Sequence, residues 1–181
     1  MIPITDELTF RRALPADAPT IRDIHSRSVR TLCRSHYTDE EIYAWTSGSE
    51  VRSYEEAILG GYEILHILET HQQGMAFSSL SAGSLNTGSS SQAELGALYV
   101  HPDFTGRGYG VELLYFTENQ ALRLGIETLY LDASLNAVLF YQARGYEILQ
   151  PSAVVLSGGM ELPAIRMKRV LDSRSHPSPM V

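Results

Sequence analysis

The segment from Ala93 to Gly125 constrains this chain more than any other. It begins "AELGALYV", which alternates as a half-buried strand does, with Leu95, Ala97 and Tyr99 on one side and Glu94, Gly96, Leu98 and Val100 on the other. It continues "HPDFTGRGYGVELL", with glycines at 106, 108 and 110. Val111, Leu114, Ala121 and Leu122 then recur at helical spacing until Gly125, a fitting C-terminal stop. A strand, a glycine loop and a helix N-terminus thus follow one another directly. Such a junction points unsatisfied backbone N–H groups and the positive end of the helix dipole at one spot, and glycine lets a ligand come close to the main chain. The segment reads as an anion site.

Three readings of "TGRGYG" compete on the residues alone. A dinucleotide fingerprint needs a third glycine three positions after Gly108, where this chain has Val111. A Walker loop needs Gly-Lys-Ser/Thr at its end, and no such tripeptide follows. An ordinary glycine turn without a ligand stays open.

The 181 residues, 44% of them hydrophobic, suffice for one good core, and no internal repeat or second domain is visible. The expected organisation is a single domain over residues 1–171 and a tail over 172–181 with little to bury. A formal net charge of −7 argues against a nucleic-acid or acidic-membrane surface, so an anionic ligand needs a local site. The single cysteine, Cys33, allows no intrachain disulfide and fits a reducing cytoplasm. The start "MIPITDELTF" has no signal-peptide pattern, and no apolar run reaches the ~20 residues that span a bilayer. The histidines lack metal-ligand spacing, so no metal is expected.

Along the chain, "ELTFRRAL" reads as a first strand and "ADAPTIRDIHSRSVRTLC" as a helix, with Asp17 as its cap and Pro19 in its first turn. Thr38 and Glu41 form a capping box before "EIYAW". "YEILHILE" and "GMAFSSLS" alternate as strands around "THQQG", and "SAGSLNTGSSSQ" is a polar, flexible connection. After the glycine loop and its helix come the strand "TLYLDAS", a short helix "NAVLFYQARGYE" ending at Gly145, and a last strand "AIRMKRVL". Antiparallel hairpins followed by strand–helix–strand make an α/β sheet with one parallel junction.

"ELGALYVHPDFTGRGYGVELL" resembles the acetyl-coenzyme A loop of the GNAT superfamily of N-acetyltransferases, whose pattern is Gln/Arg-x-x-Gly-x-Gly/Ala after a strand. "LDASLNAVLFYQARGYEI" resembles that family's later strand, asparagine and "FYxxxGF" helix, and "FRRALPADAPTIRDIH" its first strand and helix. The resemblance runs from about Thr9 to Val170. The piece "CRSHYTDEEIYAW" is similar to a bacterial, YafP-like subgroup. One departure stands out: Thr105 occupies the family's Gln/Arg position, with Arg107 nearby in the loop.

The resemblance implies a GNAT fold of α+β type, a mixed, mostly antiparallel sheet with a splayed central parallel pair and flanking helices. It implies an acetyl-coenzyme A-dependent transfer of an acetyl group to a primary amine of a small molecule or peptide, without metal. The cofactor would lie against Leu98, Tyr99, Val100, Thr105, Gly106, Arg107, Gly108, Tyr109, Gly110 and Asn136, where Asn136 also has the option of capping its helix. Tyr141 is the implied general acid for the leaving thiolate. Glu94 is the implied base for the amine, through a water, with an ordinary surface carboxylate or ion pair as its competing reading. Tyr37 and Trp45 would border the acceptor, and each also has a plain packing reading. A homodimer is compatible with the resemblance. A non-catalytic coenzyme A-binding sensor or interaction module on the same fold is the alternative from another class.

Overall fold

Strand β3 (Gln73–Ser81) is buried on both faces along most of its length, which marks it as a central strand of the sheet. The computed structural model describes residues 8–71, 73–81 and 91–172. It shows a seven-stranded sheet in the order β1-β2-β3-β4-β5-β7-β6, in which β1 is Thr9–Arg12, β2 Glu63–Thr70, β4 Gln92–Val100, β5 Thr128–Ser134, β6 Glu147–Val155 and β7 Glu161–Val170. Every pairing is antiparallel except β4 with β5. The expected fold class is therefore the observed one. Most of "SAGSLNTGSSSQ", Gln72 of the hairpin turn and the tail from residue 173 lie outside the described residues.

Two helical layers cover the sheet. Helix α1 (Ala18–Leu32) sends Ile21 and Ile24, and α3 (Val51–Gly60) sends Ala57, against Leu65, Ile67 and Phe77 on one face. On the other face α4 (Tyr109–Arg123) sets Leu114 and Ala121 against Leu80, Leu95 and Leu129. The short α5 (Val138–Gln142) joins this second core through Tyr141. Helix α2 (Asp39–Ser47) begins at the expected capping box, with Thr38 Oγ1 accepting from the Glu41 N–H at 3.2 Å and the Glu41 carboxylate accepting from the Thr38 N–H at 2.7 Å.

Several sequence expectations need correction. Asp17 precedes α1 but makes no side-chain cap there. Its carboxylate accepts instead from the Leu14 N–H and from Arg11, which also reaches Glu69 on β2. Asn136 is likewise no cap: α5 starts two residues later and has Ala137 at its N-cap position. Helix α3 and strand β6 were not read from the sequence: α3 sets Tyr54, Ala57 and Ile58 on the core at helical spacing, whereas β6 is exposed at nearly every position. Strand β4 does not keep one alternation. Leu80 pairs with Leu95 and Ser79 with Ala97, so Gly96 is an extra, bulged residue. Leu95 and Leu98 consequently face the α4 core, whereas Ala97 and Tyr99 face α1.

The deepest charge among the described residues is Glu118 of α4, fully buried. Arg169 Nη1 donates to both of its oxygens at 2.8 and 2.9 Å, and the Tyr146 hydroxyl donates at 3.0 Å. A buried carboxylate is tolerable when paired and hydrogen-bonded in this way.

Candidate active site

Strands β4 and β5 pair only at their beginnings, from Gln92 with Thr128 to Glu94 with Tyr130. Both then run on, to Val100 and Ser134, paired to β3 and β7 but not to each other among the described residues. A parallel pair that opens midway leaves main-chain groups unspent inside the sheet, and the two cavities of interest lie on either side of this opening.

The first cavity, about 410 Å³, is a cleft between the end of β4, the glycine loop and α5. It gathers Leu98, Tyr99, Val100, Thr105, Gly106, Gly108, Tyr109, Gly110 and Asn136, all named from the sequence, together with Tyr141. Gly106 and Gly108 have φ of 73° and 86°, in the left-handed region that costs any residue with a β-carbon about 1–2 kcal/mol. Gly110 serves differently, because a β-carbon there would enter the cleft 3.4 Å from Val100 Cγ2 and 3.6 Å from Phe140. Gly108 stands at the N-cap of α4 and offers no side-chain acceptor, so the first turn keeps donors for a ligand.

The departures in the loop now have physical content. The Thr105 hydroxyl is spent on the Pro102 carbonyl at 2.8 Å, closing a short 3-10 turn over Pro102–Phe104. Arg107 does not line the cleft; its guanidinium lies over the Phe104 ring at 5.7 Å. The cation of the cleft is Arg144, which sequence reasoning missed. It stacks on Phe140 at 4.4 Å and donates to the Phe140 carbonyl at 3.1 Å. Its place in "FYQARGY", one helical turn after Phe140, was the available signal. Two buried polar atoms at this cleft have no partner, Arg144 Nε and Asn136 Oδ1. Orphaned donors and acceptors beside a glycine cradle fit a long ligand with an anionic end and amide groups.

The second cavity, about 260 Å³, lies between α1, α2, α3 and the sheet. Tyr37 and Trp45 line it, with their rings 5.3 Å apart and nearly perpendicular. The Tyr37 hydroxyl is also structural, donating to the Pro163 carbonyl at 2.7 Å and accepting from the Leu135 N–H at 3.0 Å. Trp45 and Tyr99 pack against the same core cluster. The His25 ring lies tilted at 53° to that of Tyr99, centroids 4.5 Å apart, and its Nδ1 hydrogen-bonds the Tyr54 hydroxyl at 2.7 Å. Burial pushes its pKa down to about 4, so the imidazole is neutral near pH 7. His25 and Tyr54 were not singled out from the sequence, because each reads as a core residue on its own helix.

The two cavities share Leu98, Tyr99, Ser134, Ala137 and Tyr141. Tyr141 is 7% exposed, and its ring packs edge-on against Phe140 and Tyr146. Burial raises its phenol well above the usual range, and the Glu118 charge adds to that. The phenol is therefore fully protonated at neutral pH.

Glu94 is placed elsewhere. It stays opposite Leu95 as expected, but the bulge at Gly96 puts Ala97 and Tyr99 on its face, and it lines neither cavity. Arg166 binds both of its oxygens, Nη1 at 2.8 Å and Nη2 closer still, while also reaching Asp132 at 3.1 Å and lying over the Tyr130 ring. Among the described residues no group of three or more His, Cys, Asp or Glu is placed to hold a metal ion. No helix there is long and apolar enough to cross a membrane.

An open parallel pair, a glycine cradle at a helix N-terminus and a tyrosine between two cavities agree with the comparisons. The model of the acetyltransferase (GNAT) family matches residues 18–146, and the chain belongs to that family. A GCN5-related N-acetyltransferase from Rhodopseudomonas palustris, also described as a class-II aminotransferase, is 30% identical over 90% of this chain and 95% of its own, with a TM-score of 0.77. The PaiA N-acetyltransferase of Thermoplasma acidophilum, solved with coenzyme A, is 18% identical over 91% and 99%, with a TM-score of 0.73. YncA of Salmonella typhimurium, described as a putative acetyltransferase and solved with acetyl-CoA, is 22% identical over 96% and 98%, with a TM-score of 0.63. No curated relative matches the chain. These findings support the superfamily and not the narrower YafP-like subgroup.

Proposed function

We propose that this protein is an acetyl-CoA-dependent N-acetyltransferase that acylates a primary amine directly, with no covalent enzyme intermediate. The observation that carries the reading is the meeting of the two cavities at Tyr141. Solved structures of the same fold that hold coenzyme A or acetyl-CoA support the choice of cosubstrate. Acetyl-CoA, when bound, supplies an activated acetyl thioester.

Each part of the site then has a task. The N–H groups around Gly106 to Gly110 hold the pyrophosphate, with a dipole contribution of about 0.3–1 kcal/mol, so most affinity comes from hydrogen bonds and burial. The unpaired edge of β4 at Leu98–Val100 hydrogen-bonds the amide arm as a neighbouring strand would, and Asn136 Oδ1 gains the partner it lacks. Tyr37 and Trp45 border the acceptor amine. Tyr141 Oη gives its proton to the departing sulfur, and the low-dielectric surroundings that keep the phenol protonated also raise the basicity of a sulfur anion beside it. Glu94 lines neither cavity, so it takes the amine's proton through a water relay, onto the carboxylate that Arg166 holds in place. Glu94→Gln would then lose activity most near neutral pH and recover part of it at alkaline pH, where the amine deprotonates unaided. A wild-type pH profile would leave Glu94 as half of an ion pair.

The test is thiol release from acetyl-CoA against a panel of amines, amino acids and peptides. Turnover with at least one amine is expected. Tight acetyl-CoA binding without thiol release from any of them would favour the sensor reading instead.

A further inference from the structure

The acceptor cavity holds a carboxylate that the reading above does not use. Glu63, the first residue of β2, lines the cavity together with Ser79 of β3 and its hydroxyl. Gly96, the bulged residue of β4, makes room for that hydroxyl: a β-carbon there would stand 2.9 Å from Ser79 Oγ. Burial pushes the Glu63 carboxyl above the usual carboxylate range, and no lysine or arginine acts on it among the described residues.

The rest of the cavity does not supply the missing charge. None of the described residues lining it is a lysine or arginine, and His25 is neutral. The second acid there, Asp132, is already engaged by Arg166 at 3.1 Å and by the Ser152 hydroxyl at 2.7 Å. The cavity walls are largely aromatic, with Tyr54 nearest Glu63 and Trp45, Phe77 and Tyr99 further along, and aromatic faces attract cations. An acid without a cationic partner in an aromatic-walled cavity is a cation site awaiting its ligand.

Position decides which cation. In the strand order β2-β3-β4-β5, Glu63 stands three strand spacings from β5, about 14 Å of backbone. The end of β5 brings Ser134 to the junction that Tyr141 shares between the cavities. An amine attacked at that junction is out of direct reach of Glu63. We propose that Glu63 binds a second positive charge on the acceptor, so that the substrate is an amine carrying two cationic groups, as a diaminoalkane does. The inference rests on the acetyltransferase reading of the site.

The experiment compares 1,6-diaminohexane with hexylamine in two ways. In turnover, the intact protein is expected to favour the diamine at least about tenfold in kcat/KM, and Glu63→Gln to collapse that preference through the diamine's KM. In calorimetry with the protein saturated in coenzyme A, where no chemistry occurs, the diamine should bind to the intact protein and lose about tenfold or more in Glu63→Gln. Ser79→Ala, which keeps the acid, should lose less. Thermal unfolding of each variant checks that the fold persists. Equal efficiency for the two amines overturns the proposal and leaves the acetyltransferase reading standing. So does a loss of kcat in Glu63→Gln that is the same for both, which would mark a base. Diamine binding that depends on Glu63 without any thiol release overturns the acetyltransferase reading instead and upholds the cation site.

Discussion

The two cavities that meet at Tyr141 are built in different ways. The cofactor cleft is made largely of main chain: an open strand edge, two glycines with positive φ and an uncapped helix start, all within residues 98–111. The acceptor cavity is made of side chains brought from α1, α2, α3 and six strands, from His25 to Ala164. A main-chain site depends on one contiguous segment and tolerates side-chain variation such as Thr105. A side-chain site depends on long-range packing, and each of its residues also serves the core. Substitutions should therefore separate the two sides cleanly.

The largest effect is expected at their junction. Tyr141→Phe removes one hydroxyl and keeps the ring packed against Phe140 and Tyr146. Turnover should fall by about 10²-fold or more while acetyl-CoA affinity stays close to that of the intact protein. Unchanged turnover, with chemistry shown to limit the rate, would remove Tyr141 from the reaction.

A second effect falls on the acceptor side alone. His25 is depressed from 6.5 to about 4 in the folded protein, so the unfolded chain binds more protons between those values. The stability it contributes is complete above about pH 6.5 and is lost as pH falls toward 4, by roughly 2–3 kcal/mol. Urea unfolding at pH 7.5 and pH 5 should show the loss, and His25→Gln should show a smaller one. An identical pH dependence in the two proteins would contradict the burial of a neutral imidazole.

These two expectations differ in how far the sequence alone supports them. Tyr141 was legible because "FYQARGY" is local and stands at a fixed distance from "TGRGYG". The same locality made the strands of the hairpin, the capping box at Thr38 and the length of β5 readable. His25, Tyr54 and Glu63 were not, because their meeting depends on how α1 and α3 lie across β2 and β3, and each alone reads as an ordinary residue of its element. The faces of Ala97 and Tyr99 relative to Glu94 were misread because one bulged glycine reverses the alternation of β4, and a strand pattern carries no mark of a bulge. Strand β6 was missed because an edge strand exposed on both faces has no hydrophobic period.

A smaller effect sharpens the contrast within the acceptor wall. Trp45→Ala should raise the KM of the amine about tenfold and that of acetyl-CoA much less. Tyr37→Phe should instead cost about 1–2 kcal/mol of stability, since the Pro163 carbonyl and the Leu135 N–H lose their partner. Equal losses for both substrates in Trp45→Ala would make that ring a packing residue only.

The central claim is that coenzyme A binds to the main chain of the glycine loop, and titration calorimetry of acetyl-CoA with the intact protein and Gly108→Val tests it most directly. Gly108 has φ of 86° and open space around its missing β-carbon, so valine disturbs the loop's backbone without colliding with the core. The account predicts saturable, single-site binding to the intact protein and a loss of at least about tenfold in a Gly108→Val variant that still unfolds cooperatively. A folded Gly108→Val that binds acetyl-CoA as tightly as the intact protein would contradict it.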